Sequence, residues 1–179
     1  MDSQNQIPKN SSFWTNLFKN PSGKTDLIDV FKSMPTFSNL SKSQIQNLID
    51  LTHNRFFEAG EFIFHQGDPG IGLYIISEGE VLITQTTPEN KQYDLIKFTR
   101  GDFFGEMALL DNERRSASAI AQRDTTLTVL FKPDLDEFIN RYPKVGVVIL
   151  RGMAHIIATR LRNVNQEYMA LYTKIIDNN

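Results

Sequence analysis

The chain has 179 residues, a formal net charge of −2 and no cysteine. That length suits one domain, and the lack of thiols excludes disulfides and thiolate metal sites. A near-neutral, slightly acidic balance argues against a chain built chiefly to hold a nucleic-acid backbone. Hydrophobic residues make up 40% of the chain, an ordinary share that allows a real core. His53, His65 and His155 are far apart and in no metal-site spacing. Met1 to Ser12 is polar and lacks the apolar stretch of a signal peptide. No apolar run approaches membrane-spanning length. The expectation is a soluble, cytoplasmic protein without a membrane span.

In chain order, residues 1–24 read as a flexible segment. Within it Phe13, Trp14, Leu17 and Phe18 form a short amphipathic patch, followed by an Asn20-Pro21-Ser22-Gly23 linker. The patch suits packing on its own domain or a sister subunit; docking or membrane-surface contact is the alternative. Residues 25–55 read as two helices. Thr25 caps one carrying Leu27, Val30, Phe31 and Met34 up to Pro35. Ser41 with Gln44 makes a capping box opening the other, with Ile45, Leu48 and Ile49 on one face.

From Phe56 the pattern changes, and residues 56–132 read as a β-roll. Short β-branched and aromatic runs alternate with glycine turns: Phe62–His65, Leu73–Ile76, Val81–Gln85, Asp94–Phe98, Ser116–Ala121 and Leu127–Phe131. Seven of the ten glycines lie between Gly60 and Gly105, as tight turns at strand ends require. This is the pattern of a closed or double-sheet β structure.

Residues 133–179 read as helical. Pro133 suits a first helical position, and Leu135, Phe138 and Ile139 make an apolar face up to Pro143. Val147, Leu150, Ala154, Ile157, Leu161, Val164, Tyr168, Leu171 and Ile175 then follow a 3-4 alternation. Such a seam marks a helix that pairs with another helix. Packing on its own barrel is the alternative, but a compact barrel is too short to cover the whole seam.

The chemistry concentrates in Phe104-Gly105-Glu106-Met107-Ala108-Leu109 and, after a short gap, Arg115-Ser116-Ala117. Glycine lets a ligand approach the main chain. A helix starting near Met107 would aim N–H groups at a phosphate. Arg115 can meet two phosphate oxygens with its fork, and Glu106 can accept from a sugar hydroxyl. The inventory suits a ribose joined to a compact phosphate.

These residues, at this spacing and after glycine-punctuated strands, resemble the phosphate-binding cassette of the cyclic-nucleotide-binding domain family, of the catabolite-activator and kinase-regulatory-subunit type. The resemblance runs from about Leu40 to about Ala170. It implies a mainly β fold, a jelly-roll (double-stranded β-helix) with N-terminal helices and a long C-terminal helix. It implies that Gly105, Met107 and Ala108 offer main-chain groups and that Glu106 holds the ribose 2′-hydroxyl. Arg115 would pair with the cyclic phosphate, Ser116 would add a hydroxyl and Ala117 a backbone N–H. Ile83, Leu95 and Ile96 fall where the family's barrel wall touches sugar and base. Arg114 reads as a solvated neighbour. The long helix of bacterial members reaches over the base near an Arg-Leu pair. Here Arg160-Leu161 matches that pair after a four-residue insertion, and the count lands on Val164 and Asn165. Asn165, off the seam, suits a purine edge or serves only as an exposed helix residue.

Ser116 permits cyclic GMP, yet bacterial activators with serine here use cyclic AMP, so cyclic AMP is favoured without being decided. The expectation is a stand-alone cyclic-nucleotide sensor that needs no cofactor, forms a homodimer through its last helix, and signals by helix movement to a separate protein partner. Three competitors stand beside it. A metal-dependent enzyme would need clustered His and Glu residues, and no nucleophile stands beside Glu106 and Arg115, so no enzyme is expected. A DNA-binding regulator would need a helix-turn-helix after the long helix, so no direct DNA binding is expected unless the chain is a fragment. An interaction scaffold with a degenerate site would have no need of Glu106, Arg115 and Ser116 together.

Overall fold

The computed structural model describes residues 27–177. The Phe13, Trp14, Leu17 and Phe18 patch, the Asn20–Gly23 linker and the Thr25 cap lie outside the described residues. Two short helices come first, α1 (Leu27–Ser33) and α2 (Lys42–Ile49). Ser41 opens α2 with a reciprocal cap. Gln44 N–H donates to its Oγ at 3.3 Å, and its own N–H donates to Gln44 Oε1 at 2.9 Å. Two donors that a helix start would leave unpaired are thereby satisfied.

Eight strands follow: β1 (His53–Phe57), β2 (Phe62–Phe64), β3 (Gly72–Glu78), β4 (Glu80–Thr86), β5 (Gln92–Thr99), β6 (Phe103–Phe104), β7 (Ser118–Ala121) and β8 (Thr125–Phe131). They form two antiparallel four-stranded sheets, ordered β1-β8-β3-β6 and β2-β7-β4-β5. Ile76, Leu127 and Val129 of the first sheet meet Val81 and Ala119 of the second in one buried cluster. This is a jelly-roll-like β fold with flanking helices and a long C-terminal helix. β1 begins at His53, three residues before the change of pattern at Phe56; four of its five residues are exposed, so no alternation announces it.

β3 and β8 do not alternate in sequence, because both their faces are covered. Tyr74 and Ile76 point into the barrel, while Leu73 and Ile75 join Leu130 in a second core beneath the helices. That second core holds Phe31, Phe37, Ile45 and Leu48 against Leu135 and Ile149 of the last two helices. These are α3 (Lys132–Arg141), with Pro133 in its first turn, and α4 (Pro143–Asp177).

The 35 residues of α4 run for about 50 Å at 1.5 Å per residue, longer than the barrel it leans on. Ile149 and Met153 are buried, whereas Leu161, Val164, Tyr168 and Ile175 are each more than half exposed. The near end is pinned at Gly152. A Cβ there would lie 2.5 Å from Thr36 Cα and 2.7 Å from the Pro35 carbonyl oxygen, so only glycine lets α4 approach the turn after α1. Among the described residues, no helix is long and apolar enough to cross a membrane.

Candidate functional site

The site is built where β6 leaves the first sheet. Asp102, itself buried, accepts from Thr99 N–H at 2.8 Å and from Thr99 Oγ1 at 3.2 Å, which closes the turn between β5 and β6. Phe104 pairs with Tyr74 across the sheet. The chain then turns at Gly105 in the left-handed region, φ 78°. A Cβ at Gly105 would stand 2.8 Å from Arg115 Nη1 and 3.1 Å from the Gly72 carbonyl oxygen. Glycine is therefore required there twice, by backbone angle and by space.

Glu106–Leu109 follow as a single 3-10 turn rather than a full α-helix. Ala108 N–H donates to the Gly105 carbonyl at 3.2 Å, and Leu110 N–H to that of Met107 at 2.9 Å. Ala108 and Leu109 are buried and anchor the turn, while Met107 is 52% exposed. Expectation and structure agree on where the turn starts. They differ in its length, because buried Leu109 holds the chain into the helical core.

Arg115 arrives from the opposite side. Its carbonyl accepts from Gly67 N–H, and its N–H donates to the Asp68 carbonyl, both at 2.8 Å. The strand expected from Ser116 starts only at Ser118, because residues 115–117 turn toward the cavity. Arg115 is only 8% exposed. Its Nη1 donates to the Gly105 carbonyl at 3.3 Å and its Nη2 to the Gly72 carbonyl at 3.1 Å. The guanidinium carbon lies 4.2 Å from the centre of the Phe64 ring and 5.4 Å from that of Tyr74. Nε is enclosed and has no hydrogen-bond partner among the described residues. Burial pulls the Arg115 pKa below its ordinary value, partly offset by Tyr74 and Asp68. Burial pushes the Tyr74 phenol up, opposed by the Arg115 charge.

A buried cation is ordinarily matched by a buried carboxylate, because an unpaired one costs several kcal/mol. The ion pairs found among the described residues, His53–Asp134 and Lys97–Glu80, do not include Arg115, whose charge Asp68 supports only from beyond ion-pair distance. The guanidinium instead lines an open cavity of about 210 Å³. Phe64, Ile83, Ile96, Phe98 and Phe104 make an apolar wall. Gly105, Glu106, Met107 and Ala108 make one rim, and Arg115, Ser116 and Ala117 the facing one. A greasy wall beside one recessed cation suits a flat, apolar group carrying an anion.

Nine of the eleven residues singled out in the sequence thus surround one cavity. The other two do not. β4 and β5 pair Ile83 with Ile96 but Thr84 with Asp94, which leaves Leu95 as the extra residue of a bulge. A bulge re-aims its side chain, and Leu95 is 46% exposed and absent from the lining. Asn165 is exposed on the distal part of α4. The α4 residues nearest the cassette are Met153, Ile156, Ile157 and Leu161, which line a second, mainly apolar cavity shared with Glu106 and Met107. Asn165 lies one helical turn beyond that cavity.

Sequence reasoning missed Phe64, Tyr74 and Phe98, which form an aromatic box with Phe104. Phe98 was within reach, since it lies two residues from Ile96 and shares its face. Arg114, read as a solvated neighbour, is exposed but lines the cavity, and its Nη1 donates to the Gly67 carbonyl at 2.7 Å.

The cyclic nucleotide-binding domain family model matches residues 54–142. The N-terminal domain of a transcriptional regulator from Streptomyces coelicolor superposes with a TM-score of 0.67 at 31% identity, covering 76% of this chain and 95% of that one. The chain belongs to the cyclic nucleotide-binding domain family. This cyclic nucleotide-binding domain is also 35% identical over 136 residues to the cyclic AMP receptor protein of Thermus thermophilus, covering 76% of this chain and 61% of that protein. It is 36% identical over 98 residues to a cGMP-dependent protein kinase of Drosophila melanogaster, covering 52% of this chain and 12% of the kinase. The chain therefore spans less than two thirds of each of these two curated relatives. Both the 3-10 turn and Arg115 fall inside the matched residues.

Proposed function

We propose that this chain is a sensor that binds one cyclic nucleotide in the cavity between Gly105 and Arg115. In this reading the Arg115 guanidinium holds the cyclic phosphate. Glu106 accepts from the ribose 2′-hydroxyl. Ser116, Ala117, Gly105, Met107 and Ala108 supply the remaining polar contacts, and Ile83 and Ile96 with the aromatic box hold sugar and base. The single observation that carries the reading is a buried guanidinium that lines an open cavity and makes no ion pair among the described residues.

Cyclic AMP is the favoured ligand. The similarity to a cyclic AMP receptor protein extends over 136 residues, against 98 for the cGMP-dependent kinase. Ser116 is compatible with either base. The output runs through α4. Met107 is the exposed member of the 3-10 turn and shares the second cavity with Ile157 and Leu161. Movement of the turn on phosphate binding would change that contact and so the direction of α4. The exposed seam of α4 would carry a second copy, and the pair would present the change to a separate protein. Binding without turnover is the proposed role.

A melting-temperature titration tests the reading. Ligand that binds only the folded chain raises the midpoint steadily with concentration. Cyclic AMP is expected to do so, with cyclic GMP weaker. If millimolar amounts of both leave the midpoint unmoved, the sensor reading fails.

A further inference from the structure

The second cavity, between the 3-10 turn and α4, measures about 230 Å³. An apolar cavity of about 150 Å³ already holds a benzene ring, so this one has room for an indole. Met107, Leu110, Met153, Ile156, Ile157 and Leu161 make an almost wholly apolar wall, and Thr36 closes one side. Met107, Ile157 and Leu161 are 52%, 48% and 59% exposed, and each gains from being covered. The cavity between α2 and α3 is lined instead by Asp50, Asp134, Glu137 and Arg141, and the Arg115 cavity by a buried guanidinium. An uncharged aromatic side chain in either would strip water from charges it cannot pair with.

Phe13, Trp14, Leu17 and Phe18 lie outside the described residues, and their spacing bears on this cavity. Phe13 with Leu17, and Trp14 with Phe18, are each four apart, so one helical turn would set all four on one side. Nine residues, 19–27, join this cluster to the start of α1, and they span up to about 30 Å. Thr36 stands three residues beyond α1, so Leu27 lies within about 20 Å of it. The tether therefore reaches the cavity of its own chain. A tether this short acts like a millimolar concentration, well above that of a second chain in solution.

We propose that residues 13–18 dock in the cavity between the 3-10 turn and α4 of their own chain, with Trp14 as the inserted side chain. Trp14 has the largest apolar body of the four. The docked segment covers Ile157 and Leu161 at the near end of the α4 seam and leaves Val164 onward to a second copy. The assignment does not depend on what the Arg115 cavity binds.

Trp14 is the sole tryptophan of the chain, so tryptophan fluorescence of the full chain reports on this segment alone. Wild type is expected to show blue-shifted emission, and iodide quenching several-fold weaker than that of a free tryptophan derivative. Both should persist on dilution, because a contact within one chain does not depend on concentration. Ile157→Asp places a charge in the cavity and is expected to return emission and quenching to those of the free derivative. Ile175→Asp, at the far end of the same seam, is the control and is expected to change neither. A second measurement leaves every cavity residue in place. Trp14→Ser is expected to speed amide exchange several-fold at residues 106–110 and 153–161, with the β-sheets unchanged, and it decides the matter if Ile157→Asp does not fold. An exposed Trp14 in wild type overturns the proposal. So does a covered Trp14 that a folded Ile157→Asp chain fails to release, or unchanged exchange around the cavity in Trp14→Ser. Release of Trp14 by dilution or by Ile175→Asp would assign the segment to a second copy and overturn docking within the chain.

Discussion

The guanidinium carbon of Arg115 lies over the ring of Phe64, 4.2 Å from its centre. This contact, with two main-chain carbonyls, takes the place of the carboxylate that a buried arginine ordinarily has. A desolvated cation–π contact contributes on the order of 2 kcal/mol, which offsets only part of the burial cost. On the proposed reading, the free chain holds a charge that a bound phosphate would stabilise further. Replacing the charge with an apolar side chain should accordingly do little harm to the free protein. Arg115→Met is expected to leave the unliganded melting point unchanged or raised, and to abolish the rise on adding cyclic AMP. Scanning calorimetry with and without nucleotide checks both halves.

Gly105 and Gly60 make a matched pair. Both have positive φ, 78° and 89°, so alanine at either should cost about 1–2 kcal/mol of stability. Only at Gly105 would the new Cβ meet Arg115, 2.8 Å from Nη1, while at Gly60 nothing lies within 4 Å. Gly105→Ala should therefore also lose nucleotide affinity, about tenfold or more, and Gly60→Ala should not. Urea unfolding combined with a binding titration separates the two effects.

Gly152 sets where α4 is clamped. A Cβ 2.5 Å from Thr36 Cα has only backbone to displace. Gly152→Ala should destabilise by about 1–3 kcal/mol, as overpacking does. Gly152→Val should do more, with faster amide exchange first in α4 and the turn after α1. Exchange at the β-sheets that stays equal to wild type would mark the damage as local to the clamp.

The distal seam of α4 is expected to be an interface between two copies. Leu161 is 59% exposed and Ile175 62%, a large apolar outlay for a helix left bare. Leu161→Glu with Ile175→Glu would bury charges in that interface and should convert a dimer to a monomer in light scattering. Wild-type protein that is monomeric at tens of micromolar would refute the seam as an interface.

Much of the fold was legible because its signals are local. The Ser41–Gln44 capping box, the glycine turns and the Pro133 helix start all act within a few residues. Two elements were not. β1 shows four exposed residues in a row and so lacks an alternating pattern, and β6 is two residues long. The candidate site divides the same way. Gly105 and Arg115 are ten residues apart, and their pairing could be read along the chain. Gly72, whose carbonyl takes the other Arg115 nitrogen, is 43 residues away in sequence, and only the β3–β6 pairing brings it near. Phe64 reaches Arg115 through the barrel interior in the same manner. Leu95 was misplaced by a bulge that strict alternation cannot foresee. The position of Asn165 depended on a helix register counted across an insertion, which one turn of error carries out of the cavity.

Calorimetric titration of cyclic AMP into wild type and Arg115→Ala tests the central claim most directly. The expected result is saturable binding of one nucleotide per chain to wild type. The variant should stay folded yet bind tenfold to more than a hundredfold more weakly, as loss of a charge-assisted hydrogen bond of about 1.5–3 kcal/mol requires. Equal affinity in the two proteins, or no binding to wild type at millimolar nucleotide, would contradict it.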